Sequence, residues 1–142
     1  MNEINLDRFY EAHRGMYEGA LAEIREGQKR SHWMWFIFPQ IKGLGRSPTA
    51  QYFAIENLEE AAAFAADPYL GEHLQEISRA LLDCPGSDAE AILGWIDAIK
   101  LKSSMTLFYH AAEDNRVFYQ VLQRFYGGEF DQLTMRHIEE EL

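Results

Sequence analysis

Apolar residues recur every three or four positions along most of this chain, a spacing that predicts helices and leaves little competing strand pattern. Over residues 6–26, Phe9, His13, Met16, Ala20 and Ile24 form one stripe. Asn5 or Asp7 is placed to cap the start and Gly27 to end it, while Gly15 and Gly19 predict a kink or a close helix contact. Further helix starts are announced by capping chemistry. Ser47-Pro48 sets a hydroxyl before a proline at the first helical position and opens a helix through Ile55. Asn57 with Glu60, and Ser87 with Glu90, read as capping boxes, the second helix ending near Gly94. Asp67-Pro68 opens a helix over residues 69–83. Asp97 precedes one running to about Ala112, and Asp114 and Asp131 cap two more, with Gly127-Gly128 between them. In each case a side-chain oxygen accepts amide protons that the first helical turn leaves unpaired.

Residues 33–38 are continuously apolar and aromatic, a pattern that suits a strand or a buried helix. With helices on both sides and no second strand pattern to pair with, a short buried helix is the more economical choice, capped by Ser31 and stopped by Pro39. Residues 40–46, with Gly43 and Gly45, form a loop. The expected fold is all-α, or nearly so: one compact multihelical domain over residues 1–142 around a buried central aromatic segment. Nothing repeats at solenoid period, and no stretch is of low complexity.

Composition narrows the functional classes. At 142 residues, 47% hydrophobic and 25% charged, the chain has the balance of a globular domain. Its longest apolar run, residues 33–39, falls far short of the roughly 20 residues that span a bilayer. The opening Met1-Asn2-Glu3-Ile4-Asn5 lacks the basic-then-apolar pattern of a signal peptide. A lone cysteine, Cys84, excludes a disulfide framework and reads as a structural thiol, so the reducing cytoplasm is the expected compartment. The net charge of −10 argues against nucleic acid and anionic membranes as partners. Yet acidic residues are absent between Glu26 and Glu56, where Lys29, Arg30, Lys42 and Arg46 lie with His32. They are absent again between Asp97 and Glu113, where Lys100 and Lys102 lie with His110. Positive charge is therefore gathered into two stretches of an acidic chain.

Walker loops, dinucleotide glycine triplets, nucleophile elbows and metal-binding His-Glu-x-x-His helices are all absent. His13, His32, His73, His110 and His137 show no metal-ligand spacing, and no metal or cofactor is implied. Three segments remain as candidates. In Gly43-Leu44-Gly45-Arg46-Ser47-Pro48-Thr49, glycines allow close approach to a helix start whose free amides favour an anion. Arg46 adds a bidentate cation there, and Ser47 and Thr49 add donors; the plainer reading is a turn with Ser47 as its cap. In residues 100–108, Lys102 and Thr106 share a helix face with Ser103 one step round. Ser103, Ser104 and Thr106 are poor helix-interior residues that either bind something or allow close packing. In residues 32–40, Trp33 and Trp35 fill the core or wall a pocket, with His32 and Gln40 as polar contacts.

These segments carry a resemblance. Ser31-His32-Trp33-Met34-Trp35-Phe36-Ile37-Phe38-Pro39-Gln40, Gly43 through Ala50 and Leu101-Lys102-Ser103-Ser104-Met105-Thr106-Leu107-Phe108 resemble the hallmark motifs of the bacterial and fungal domain-of-unknown-function family 1810, some of whose members carry the label "calpastatin". The resemblance covers almost the whole chain; it implies a compact multihelical fold and no particular activity. Pro48-Thr49-Ala50-Gln51-Tyr52-Phe53 and residues 105–108 are more faintly similar to YbiA-like N-glycosidases of ADP-ribose and riboflavin metabolism. That family's pattern carries a glutamate near the position of Ala50 and Gln51, where this chain has no carboxylate for acid–base hydrolysis. The expected function is a pocket for a phosphorylated or nucleotide-like anion, tied to NAD or ADP-ribose metabolism. Arg46 and Lys102 would anchor the anion; Gln40, Ser47, Thr49, Ser103, Ser104 and Thr106 would donate to it; and Trp33 or Trp35 would form the wall. His32 is the candidate for proton transfer, its ordinary pKa lying nearest neutrality. The competing class is a non-enzymatic interaction module in which Glu139-Glu140-Glu141 meets a basic partner; neither reading fixes an oligomeric state.

Overall fold

The structure, a computed structural model, describes residues 4–142; Met1, Asn2 and Glu3, with which the leader reading begins, lie outside the described residues. Nine helices follow one another among those residues: α1 (Asp7–Arg25), α2 (Met34–Ile37), α3 (Pro48–Phe53), α4 (Leu58–Ala66), α5 (Pro68–Asp83), α6 (Ala89–Leu93), α7 (Trp95–Ala111), α8 (Arg116–Tyr126) and α9 (Gln132–Glu140). α7 is the central element, packed against α4, α6, α8 and α9, while α1 packs on α5 and the single turn α2 joins α1 to α3. α2 decides the ambiguous aromatic segment in favour of a helix. The fold is all-α, the one β feature among the described residues being an isolated parallel bridge between Ile41 and Ile55.

A chain of rings runs through the core and ties four helices together. Phe9 of α1 meets Phe64 of α4 edge-on at 5.0 Å, Phe64 meets Phe108 of α7 at 5.4 Å, and Phe108 meets Phe118 of α8 at 6.0 Å. All four side chains are fully buried, each contributing roughly 1.5–3 kcal/mol through lost water contact.

Most capping expectations hold. Ser47 accepts from the Ala50 amide, Asn57 from Glu60, Asp67 from Tyr69 and Leu70, and Asp131 from Thr134. Six details differ. Leu6 precedes α1 without a side-chain cap, although the Asn5 carboxamide oxygen accepts from the Asp7 amide. Ser31 does not cap α2, because its hydroxyl donates to Glu23 instead. α3 ends at Phe53 and not Ile55, whose amide and carbonyl are committed to Gln40 and Lys42 in the bridge. Asp88, one residue beyond Ser87, caps α6. α7 begins at Trp95, so Asp97 lies in its first turn and does not precede it. Asp114 does not cap α8, which starts after Asn115. Gly15 and Gly19 make no close helix contact: α1 is continuous, and a methyl group at either would meet open space.

Cys84 is a buried thiol donating to the Ile24 and Ala80 carbonyls, and burial pushes its pKa up. Among the described residues no helix is long and apolar enough to cross a membrane.

His13 is a sensitive point of this core. It is 2% exposed, and burial lowers its pKa to about 4, with the nearby His73 adding to the effect against the favourable Phe36 carbonyl. A histidine kept neutral when folded, but near 6.5 when unfolded, stabilises the fold fully above pH 6.5 and loses that contribution as pH falls towards 4. The loss is on the order of 3 kcal/mol across that window. Thermal unfolding of the wild type and His13→Phe over pH 7.5 to 4 should show the shallower pH dependence in the variant; equal slopes would assign the acid sensitivity elsewhere.

Candidate functional site

The residues singled out from the sequence fall into four places. Trp33 is fully buried, its indole N–H donating to Glu23 Oε1 at 3.0 Å. Arg46, Ser47 and Thr49 are exposed around the start of α3, a helix of six residues, and the Arg46 carbonyl accepts from Gln51. Lys102 faces α8 and the turn beyond it, with Nζ 3.5 Å from Glu129 and over the Tyr126 ring at 6.0 Å. The Thr106 hydroxyl is spent within the protein, donating to the Lys102 carbonyl at 2.8 Å and accepting from the Asp131 amide at 2.9 Å. Ser104 Oγ is buried without a hydrogen-bond partner.

The remaining candidates converge on a residue that was not selected, Lys100. A cleft of about 320 Å³ is bounded by Lys29, His32, Trp35, the α6–α7 junction and Lys100. A neighbouring cleft of about 370 Å³ shares Trp95, Ile96 and Lys100 with it and continues past Gln40, Gly45, Ser103 and Leu133. His32, Trp35, Gln40 and Ser103 thus border one continuous groove, whereas Arg46 and Lys102 do not line either part of it. Loop 43–46 closes tightly beside it. A methyl group at Gly45 would lie 2.5 Å from the Ala50 Cβ, and one at Gly43 would lie 2.8 Å from the His137 ring of α9. The glycines therefore serve close packing of the loop.

Electrostatics give the groove its character. Asp97 is shared by two lysines, with Lys29 Nζ 2.9 Å from one oxygen and Lys100 Nζ 3.6 Å from the other. Lys29 lies over the Trp33 ring at 5.1 Å and Lys100 over the Trp35 ring at 5.2 Å. Their side chains are only 10% and 24% exposed. One carboxylate facing two partly desolvated ammonium groups leaves a surplus positive charge, which indoles stabilise only in part. The start of α7 lies at the same place: Gly94, at φ +86°, leads into it with no side-chain cap. Its first amides and its dipole therefore add positive potential.

Sequence reasoning missed Trp95, Ile96 and Ile99, all exposed, although a signal was present. α7 carries apolar residues on every side, which marks a helix buried all round or one presenting an apolar face at a surface. Ala98, Leu101 and Met105 are the buried face, leaving Trp95, Ile96 and Ile99 outside.

The family described as "Protein of unknown function (DUF1810)" matches residues 3–138. The chain belongs to this family. A crystal structure of the conserved hypothetical protein Rv1873 from Mycobacterium tuberculosis is similar to it at 40% identity and a TM-score of 0.94, covering 97% of this chain and 99% of that one. No curated protein matches. Residues 31–40 and 101–108, the segments that carry the resemblance, supply His32, Trp35, Gln40 and Ser103 to the groove, and α7, which holds the second segment, also supplies Lys100.

Proposed function

We propose that the chain binds a small anionic metabolite, phosphorylated or nucleotide-like, in the groove around Lys100. The supporting observation is the Lys29–Asp97–Lys100 triad beside the uncapped start of α7. An anion placed there meets two ammonium groups and free backbone donors, while Trp35 and Trp95 offer faces for a ring. Gln40 and Ser103 are polar contacts along the same groove. His32 borders it as the imidazole available for proton exchange, and Asp97 is the carboxylate close by. Arg46, Ser47 and Thr49 stay candidates for the outer, solvent-facing part of a longer ligand. The link to NAD or ADP-ribose metabolism and the cytoplasmic setting belong to this proposal, the buried reduced Cys84 suiting the latter.

Thermal shifts against NAD, ADP-ribose, nucleotides and sugar phosphates test the reading. Binding at 100 times Kd should add about 2.7 kcal/mol of stability by mass action. Lys100→Ala removes a charge-assisted contact and should weaken binding roughly tenfold or more, with the Arg46→Ala effect smaller. A well-folded protein that shifts with none of these anions, or a Lys100→Ala variant that binds as the wild type does, would overturn it.

The exposed Trp95, Ile96, Ile99 and Leu133 favour a second reading, a protein-interaction module with an apolar contact face. Trp95→Ser abolishing capture of a protein partner, with anions inert in the shift assay, would select it.

A further inference from the structure

A second cleft, of about 710 Å³, lies away from the Lys100 groove along α5 from Pro68 to Arg79, closed by the end of α4 and by Asp114. Behind it two histidines are locked in series. His13 Nε2 is 2.8 Å from the Phe36 carbonyl oxygen, and His13 Nδ1 is 2.9 Å from His73 Nδ1. A carbonyl only accepts, so Nε2 of His13 carries the proton and its Nδ1 is the acceptor. His73 must then donate through Nδ1, which leaves its Nε2 as a bare lone pair with no hydrogen-bond partner among the described residues. The Tyr17 ring stacks on His73 at 3.5 Å between centroids and 2° between planes, and Tyr69 packs beside it at 4.3 Å. The imidazole is thus held in orientation and in its less common tautomer.

Everything else with charge around His73 is mostly acidic. Glu72 has no hydrogen-bond or ion-pair partner among the described residues, Glu76 accepts from the Tyr17 hydroxyl at 2.6 Å, and Asp67 caps α5 and accepts from Tyr10. Glu18 faces His73 from α1, and Asp114 closes the far end, paired with Arg116 at 3.2 Å. The cations nearby are Arg79, hydrogen-bonded to Gln75 at 3.4 Å, and Arg25, 3.9 Å from Glu76. Burial keeps His73 neutral against the pull of these carboxylates. The cleft is therefore rich in acceptors, with Asp67, Glu72, His73, Gln75, Glu76 and Asp114 along its lining and Arg79 as its one cation among the described residues.

We propose that this cleft binds an organic ammonium or guanidinium cation, one N–H of which donates to His73 Nε2 while Glu72 and Glu76 neutralise its charge. A simple metal ion is disfavoured, since no group of three ligating side chains forms among the described residues. An N–H cation satisfies both features at once: it donates to the lone pair, and it needs no fixed coordination number. Tyr17, buried and stacked on His73, and Tyr69, tilted against it, hold the imidazole in place while the cation is bound from the cleft side. His13 is a positioning residue, acting through His73.

Nitrogen-15 NMR of the full chain tests this with agmatine as the probe. Before any ligand, His73 should show a protonated Nδ1 and a bare Nε2, and His13 the reverse. Agmatine added at constant ionic strength should shift the His73 Nε2 signal saturably, while matched sodium chloride should not. Glu72→Gln, an exposed change that leaves the dyad in place, should weaken agmatine about tenfold. A protonated His73 Nε2 in the free protein would overturn the proposal. So would a response equal to that of sodium chloride, or an agmatine affinity unchanged in Glu72→Gln.

Discussion

Gly71→Ala should destabilise the protein by about 3 kcal/mol, lowering the unfolding midpoint by about 10 °C. Gly71 is buried in the first turn of α5, and a methyl group there would overlap the Ala65 carbonyl oxygen at the end of α4. Both atoms at the clash are backbone-held, so no side chain can swing aside. α4 and α5 are joined by a single residue, Asp67, which ends one helix and caps the other. Separating them to admit a methyl group would pull Asp67 from the Tyr69 and Leu70 amides, a cap worth about 1 kcal/mol. Alanine's better helix propensity returns at most about 1 kcal/mol, so the overlap decides the sign. Gly15→Ala is the control. It is helical, exposed and unobstructed, and should stabilise by up to about 1 kcal/mol. Equal effects at the two positions in urea unfolding would show that the α4–α5 junction yields freely.

The Gly71 contact also shows what could and could not be read from the chain. Asp67-Pro68 announced the start of α5 because capping is local: an oxygen and the amides two and three residues on are close whatever the tertiary fold. The same locality made Ser47, Asn57 and Asp131 legible. It failed where a neighbour in space competed for the side chain. Ser31 has a capping residue's chemistry, but Glu23 of α1 takes its hydroxyl and amide. Asp97 was read as a cap, yet Lys29 draws it into an ion pair inside the first turn of α7. No spacing rule joins Lys29 to Asp97.

The groove divides along the same line. Trp35, Gln40 and Ser103 were chosen for being unusual in their segments, and α2, the following loop and α7 bring them to one surface. Lys100 and Lys102 are equally basic and two residues apart, so composition treats them alike. On a helix two residues turn the direction by about 200°, which sends Lys100 to Trp35 and Lys102 to Glu129. Each acid-free window contributes one lysine to the groove, Lys29 from the first and Lys100 from the second, and within the second the choice of lysine depends on helix phase. The His13–His73 pair lay beyond sequence reasoning altogether, since its partners are 60 residues apart.

Glu23→Ala is expected to cost about 3 kcal/mol and to weaken anion binding at a groove that Glu23 does not line. Glu23 accepts four hydrogen bonds: from the Arg30 and Ser31 amides at 2.6 and 2.9 Å, the Ser31 hydroxyl at 2.6 Å and the Trp33 indole at 3.0 Å. Partial burial pushes its carboxyl up, but these donors together outweigh burial and hold it down at about 2. Removing the carboxylate leaves the fully buried Trp33 indole and neighbouring amides without an acceptor, at about 1–3 kcal/mol for a buried donor. The segment so released carries Lys29 and His32 into the groove, and with Lys29 goes one of the triad's two cations. Glu23→Gln keeps one acceptor oxygen and should fall between the two. The sign with pH follows from the depressed value. The contribution is present above the ordinary carboxylate range near 4.5 and is lost as pH falls towards 2, so the gap between wild type and Glu23→Ala should close in acid. Denaturant midpoints and tryptophan emission check this together: a red-shifted Trp33 with weaker anion binding is expected. A variant within 0.5 kcal/mol of wild type, with unchanged emission, would mean that residues 29–33 are held by their own packing and that the triad does not depend on Glu23.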